Sequence, residues 1–238
     1  MNHQQKVYFE DWGRIDYAKA WYDQKTIHAS LSELKLNNRG KSIEDQIIPQ
    51  HRLIFCEHHP VFTLGKSGSD ENVLLSEQEL RDKGISYFAI NRGGDITYHG
   101  PGQIVVYPIL DLDYFFTDVH KYVRYLEEAV ILTLAEYGLK GFRIQGYTGV
   151  WLENSKRGKL AKICAIGVHL SRWITMHGLA FNINTDLHYF NYIIPCGIVD
   201  QEKTVTSMSV ELGMKIDQQE VKTQLKNHFC ELFGMQLI

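Results

Sequence analysis

The chain has no apolar run long enough to cross a membrane, which takes about 20 consecutive apolar residues. Its beginning, Met1-Asn2-His3-Gln4-Gln5-Lys6, lacks the apolar stretch of a signal peptide. No Pro/Ser-rich linker, internal repeat or low-complexity tract divides it, so the 238 residues are expected to form one domain, 1–238. There is no excess of basic charge: the net charge is −3, and nothing favours nucleic acid as a partner. The four cysteines, Cys56, Cys164, Cys196 and Cys230, form no C-x-x-C pair, and without an export signal a reduced, cytoplasmic protein is expected. Eleven histidines are present, but none makes the i, i+4 pair of a zinc helix. His58-His59-Pro60 reads as the end of a strand. No Walker-type phosphate loop occurs. Neither a metal nor a nucleotide cofactor is therefore expected.

What the chain does have is a dense loop. Arg92-Gly93-Gly94-Asp95-Ile96-Thr97-Tyr98-His99-Gly100-Pro101-Gly102-Gln103 holds four glycines and a proline, with polar side chains set between them. The β-prone runs 85–90 and 104–107 flank it, so it reads as strand, exposed loop, strand. Glycines bare backbone N–H groups and admit a close ligand. The length and polarity of this loop favour ligand binding over a simple turn.

Hydrophobic residues make up 44% of the chain, enough for a sizeable core. Residues 17–34 have imperfect helical spacing, with Tyr17, Trp21 and Ile27 or His28 towards a core; 37–50 is polar and reads as a mobile loop. Residues 52–57 read as a buried strand. Ser76 and Glu79 form the pattern of a capping box before a short helix that ends by Gly84. The strongest helical period joins Val119, Tyr122, Val123, Leu126, Ala129, Val130, Thr133, Leu134 and Tyr137, with Asp118 to cap its start and Gly138 its end. Residues 147–152 and 160–170 look like strands joined by a turn at 154–158. A last helix starts at Asp217 and buries Val221, Leu225, Phe229 and Leu232. Strands paired through short turns with helices between them indicate an α+β fold with a largely antiparallel sheet.

Three further segments stand out. Ile194-Pro195-Cys196-Gly197-Ile198 presents one cysteine on a non-regular backbone. Residues 158–167 carry Lys162 inside an apolar run, and 173–184 is strand-like with Gly178 at its centre. With the glycine-rich loop, these segments in this order resemble the lipoyl(octanoyl) transferase family over about residues 52 to 210. The resemblance implies the fold of biotin and lipoate protein ligases: a mixed, largely antiparallel sheet flanked by helices, with a smaller subdomain. It implies octanoyl-acyl carrier protein as donor. The acceptors it implies are apo lipoyl domains of 2-oxoacid dehydrogenases and the glycine cleavage H protein. No ATP is needed, because the thioester is already activated.

The chemistry follows from residue types. A thiolate attacks a thioester readily, which suits Cys196 as nucleophile; Cys56 and Cys230 read as buried structural cysteines. A lysine inside an apolar strand is unusual. Desolvation would make Lys162 a usable base, whereas as an ammonium it would favour the Cys196 thiolate; both roles stay open. The family's catalytic pair is a cysteine and a lysine, and Cys196 and Lys162 match its motifs. Arg92, Thr97 and His99 are expected around the reacting carbonyl; His99 fits a structural hydrogen-bonding role as well, and both roles stay open. Cys164, two residues beyond Lys162, is expected on the same strand face.

If a turn centred at Arg172 joins the strands on either side of it, residues whose numbers sum to 344 face each other. Ile166 then faces Gly178, and Lys162 faces Asn182. Gly178 would leave a gap, lined by Ile166, Val168, Met176 and Ala180, that suits a straight acyl chain. A plain packed hairpin with a bulge at Gly167 and Gly178 fits the residues equally well. The resemblance favours the pocket. It places substrate contacts at Arg92, Gly93, Gly94, Asp95, Ile96, Thr97, Tyr98 and His99, at Ala165, Ile166 and Gly167, and at Gly178, Leu179 and Ala180. Three other readings compete: an ATP-dependent lipoate or biotin-type ligase of the same fold, a thioesterase-like hydrolase pairing Cys196 with His99 or His177, and a non-catalytic acyl-binding module.

Overall fold

The apolar runs around 53, 105, 165 and 178 lie side by side in one sheet. The computed structural model describes residues 4–154, 159–194 and 203–238. Its strands are β1 (Gln5–Ile15), β2 (His51–His58), β3 (Val61–Leu64), β4 (Ser86–Ala89), β5 (Ile96–His99), β6 (Gln103–Ile109), β7 (Phe142–Ile144), β8 (Tyr147–Asn154), β9 (Lys159–Ser171), β10 (Ile174–Asn182), β11 (Lys203–Val205) and β12 (Met235–Leu237). Its helices are α1 (Tyr17–Asn37), α2 (Glu77–Asp82), α3 (Val119–Glu136), α4 (Met208–Leu212) and α5 (Gln218–Phe233).

The large sheet has the order β12-β1-β2-β6-β10-β9-β8-β7, with β11 added alongside β9. Its central pairs are antiparallel; β1–β12, β1–β2 and β11–β9 are parallel. A smaller sheet, β4-β3-β5, stands apart from it. The architecture is the mixed α+β fold that the sequence indicates.

Strand alternation sorts the core. Leu53, Phe55, Ile104 and Val106 turn to one face, where α3 and α5 pack with Tyr122, Leu126, Val130, Leu225 and Phe229. Ile54, Cys56, Val105 and Tyr107 turn to the other, against Ala20 and Leu31 of α1. The helix ends carry the expected caps. Asp118 accepts the Lys121 N–H, and Ser76 and Glu79 close a full capping box, each cap contributing about 1 kcal/mol. In α5 the buried residue of the last turn is Phe233, with Leu232 only partly covered.

Three expectations are corrected. The segment 92–103 is not one loop, because Ile96–His99 forms β5 and pairs with β3. Its alternating Ile, Thr, Tyr and His satisfy a strand despite the glycines around them. The β9–β10 register runs on a sum of 345: Leu179 pairs with Ile166 and Gly178 with Gly167. The turn has two residues, Arg172 and Trp173, both at positive φ (53° and 65°), so its centre falls between them. Finally, a bulge interrupts the β8–β9 ladder. Trp151 pairs with Lys162, but Val150 pairs with Cys164. The extra residue on β9 reverses the alternation, and Cys164 turns into the α3 core with Ile163, away from the face of Lys162.

Candidate active site

Three adjacent strands place small side chains in a row: Ala165 on β9, Ala180 on β10 and Val105 on β6. Above this floor lies a cavity of about 490 Å³, within the usual range for small-molecule sites. Gly167 and Gly178, directly paired, continue the floor. Tyr17, Tyr107 and His177 border it on the α1 side, and Ile166, Val168 and Leu179 also reach it. A cavity lies beside these strands, but it is not a gap left by Gly178. The space a Gly178 side chain would take is filled by Val106 O, 2.1 Å from the Cβ position, Met176 takes no part in the lining, and the pairing differs from the expected one.

Arg92, Gly93, Gly94 and Asp95 form the roof. This loop is fastened on two sides. Gly93 donates its N–H to Val168 O at 2.9 Å, tying it to β9. Gly65, Lys66 and Ser67 donate to Asp95, Arg92 and Gly94 carbonyls, tying it to the segment after β3. Arg92 is buried; its guanidinium donates to Thr63 Oγ1 at 3.0 Å and to Gly93 O at 3.0 Å. Asp95 accepts from Asn72 Nδ2 at 2.7 Å.

On β5, alternation turns Thr97 and His99 into the cavity, and Ile96 also touches it. Tyr98 is the correction here. It points to the opposite face, fully buried against Phe62 and Phe190 and stacked on Tyr189 at 4.7 Å. A two-residue period separates it from its neighbours, and it lies outside the cavity.

His99 is held as a neutral ring. Its Nδ1 lies 2.8 Å from Gln103 Oε1, and Gln103 Nε2 donates to Tyr98 O and Asn182 Oδ1. The Gln103 oxygen must therefore accept, so His99 Nδ1 carries the proton and Nε2 accepts from the Thr63 hydroxyl at 3.3 Å. Burial, with His58 nearby, pushes its pKa down to about 3. His177 is pushed down to about 3 by burial and Arg92; its Nε2 meets Asn91 Oδ1 at 2.9 Å. Burial thus favours the neutral form of both rings.

Lys162 lines the cavity with its Nζ 4.7 Å from the centre of the Trp151 ring, a cation–π contact. Its backbone is flanked by β8 and β11, opposite Trp151 and Val205, rather than by Asn182, which reaches the same cavity from β10. Thr206 donates its N–H to Lys162 O at 2.9 Å. Cys196 lies outside the described residues; Phe190 before it and Val205 after it both line the cavity. Cys56 and Cys164 are buried, and desolvation raises both thiols well above their ordinary value. The sequence does not announce Tyr17, Tyr107, Tyr147 and Val205 as lining: Tyr17, Tyr147 and Val205 come from α1, β8 and β11, and Tyr107 stands on β6 in the apolar run after the glycine-rich segment. Among the described residues no three His, Cys, Asp or Glu side chains are grouped to hold a metal ion, and no helix is long and apolar enough to cross a membrane.

The arrangement of this sheet and its helices is that of the lipoate protein ligases. The chain is similar in fold to the bi-partite lipoate protein ligase of Thermoplasma acidophilum, with a TM-score of 0.63 and 18% identity, over 99% of this chain and 85% of that one. Residues 27–230 match the lipoyl protein ligase A/B catalytic domain family, and the chain belongs to that family. It is 56% identical over 226 residues to the octanoyltransferase of Christiangramia forsetii, covering 94% of each chain. It is 52% identical over 236 residues to the octanoyltransferase of Cytophaga hutchinsonii, covering 99% of this chain and 96% of that one.

Proposed function

We propose that the chain is an acyltransferase that moves an octanoyl group from octanoyl-acyl carrier protein to a lysine of an apo lipoyl domain, through a thioester on Cys196. Octanoyl transfer is the activity named for relatives about half identical over nearly the whole length, whereas the ligase neighbour is 18% identical and speaks for the fold alone. The observation that carries the reading is the small-residue floor of Ala165, Ala180 and Val105 with Lys162 at its edge.

In the first half of the cycle the Cys196 thiolate attacks the carbonyl carbon of the donor thioester. The carbon–sulfur bond to the carrier breaks, and the carrier leaves as a thiolate of similar basicity. In the second half the acceptor amine attacks the new thioester, Lys162 takes the proton released, and Cys196 leaves as thiolate. Arg92, Thr97 and His99 hold the reacting carbonyl; Gly93, Gly94, Asp95 and Ile96 shape the roof. Ala165, Ile166, Gly167, Gly178, Leu179 and Ala180 bed the chain. The whole of 1–238 serves as one catalytic domain in this reading, with 2-oxoacid dehydrogenase lipoyl domains and the glycine cleavage H protein as acceptors.

The test is intact mass after mixing with octanoyl-acyl carrier protein, without ATP. One octanoyl group should add at Cys196 and pass on to a lipoyl domain. Cys196→Ala should form no adduct, and Cys56→Ala and Cys230→Ala should still form one. A strict requirement for ATP and magnesium would move the protein to the ligase reading.

A further inference from the structure

Lys162, Ala165 and Gly167 all line the cavity, yet a regular strand forbids it. Residues three apart on a strand point to opposite faces. The bulge in β9 removes the conflict, because Ile163 and Cys164 both turn to the α3 core and the alternation restarts at Ala165. Without it, Lys162 would face that core.

Two residues outside β9 bear on the bulge. Gly149 of β8 has a φ of 119°, and a Cβ there would lie 2.5 Å from Cys164 O. Only a glycine lets the bulged carbonyl come this close. The Gly149 N–H donates to Oε1 of Glu127 at 3.0 Å. Glu127 is wholly buried on α3, in a row that otherwise buries Tyr122, Leu126, Ala129 and Val130. Its other oxygen accepts from Arg124 Nη1 at 2.6 Å and from Arg143 Nε at 2.9 Å. A buried carboxylate in an apolar row is held there by its partners. One of those partners is the amide next to the bulge.

We infer that Glu127 is a positioning residue for Lys162. Through the Gly149 N–H it holds β8 against the bulged carbonyl, and the bulge turns Lys162 out of the core and into the cavity. The inference rests on the reading of Lys162 as the group that takes the amine proton, but its geometric half does not. A purely structural role, pinning α3 through the two arginines, would lower stability and leave Lys162 where it is.

The experiment compares Glu127→Leu, Arg124→Met and Lys162→Met in the full chain. Transfer kinetics are measured together with the indole 1H–15N resonance of Trp151, assigned with Trp151→Phe. This resonance reports whether the Lys162 amine lies over its ring. Glu127→Leu should lower kcat by about tenfold or more with KM within about twofold, and should move the Trp151 resonance to its Lys162→Met position. Arg124→Met should lower Tm without changing kcat or the resonance. If Glu127→Leu does not fold, Gly149→Ala disturbs the same bulge from β8 and should shift the same two readouts. The proposal is overturned by a wild-type kcat in the bulge variant, by a loss of kcat with the resonance unmoved, or by an equal loss in Arg124→Met. Should Lys162→Met itself transfer at the wild-type rate, the catalytic reading of Lys162 falls, and the Trp151 resonance alone decides the positioning role.

Discussion

Gly167 of β9 lies directly opposite Gly178 of β10, yet the two glycines make room for different things. A Cβ on Gly167 would lie 2.8 Å from Gly93 O and 2.9 Å from Arg92 Cδ, in the roof of the cavity. A Cβ on Gly178 would lie 2.1 Å from Val106 O, in the backbone of β6. Gly167→Ala should therefore displace the Arg92 loop and slow transfer while the chain stays folded. Gly178→Ala should separate β10 from β6 and lower the melting temperature. Melting curves and transfer rates of the two variants distinguish these outcomes. Equal melting temperatures would contradict the assignment.

Ala165 offers the means to fill the cavity. Ala165→Leu adds three heavy atoms to the floor without touching the sheet backbone. Octanoyl transfer should fall by about tenfold or more while a hexanoyl donor is retained, a reversal of chain-length preference read from competing donors. Unchanged octanoyl preference in a folded variant would place the acyl chain elsewhere.

Lys162→Arg separates the two roles open to this side chain. Arginine keeps a charge that also stacks on Trp151, but it does not deprotonate in proteins. Transfer to the acceptor lysine should slow by about a hundredfold or more, with part of the reactivity of Cys196 towards iodoacetamide retained. Wild-type transfer across the pH range would remove the base role.

Four buried histidines set the acid limit of the fold. Burial pushes His51 and His58 down to about 4, and His99 and His177 to about 3. In the unfolded chain they titrate near 6.5. Stability is therefore whole above about pH 6.5. It falls as pH drops towards the folded values, because the unfolded chain takes up protons that the folded one refuses. Denaturant midpoints should hold steady from pH 7 to 8 and decline between 6.5 and 5. His58→Gln should reduce that slope by about one proton. The pH–rate profile should show no ionisation of His99 in this window.

The parts of the fold written in local pattern were legible. The period of α3, the box at Ser76 and Glu79, and the apolar runs of β2, β6, β9 and β10 all lie where the residues suggest. What failed depends on partners distant in sequence. β5 was hidden because its four residues sit among glycines, and only pairing with β3 makes them a strand. The register of β9 and β10 slipped by one because Arg172 and Trp173 adopt positive φ without a glycine or asparagine to announce it. Tyr98 is contiguous in sequence with lining residues, yet alternation turns it away. The candidate site was legible as a set of segments. Its actual lining needed the sheet order, which brings Tyr17, Tyr107 and Val205 to the same space.

The cavity has a floor and a roof of unequal stiffness. Its floor is laid on β6, β10 and β9, each hydrogen-bonded on both sides within the large sheet. Its roof is a loop held to β9 by the Gly93 bond, to the segment after β3 by three backbone bonds, and through the side chains of Arg92 and Asp95 to Thr63 and Asn72. Widening the space from below would break a continuous ladder, whereas lifting it from above breaks separate bonds, most of them to a neighbouring loop. In a hydrogen-exchange experiment the amides of Gly93 and of 65–67 should therefore exchange well before those of β10. An acyl chain would enter by the side that yields, so the passage of substrate and the opening of these few amides would be one event.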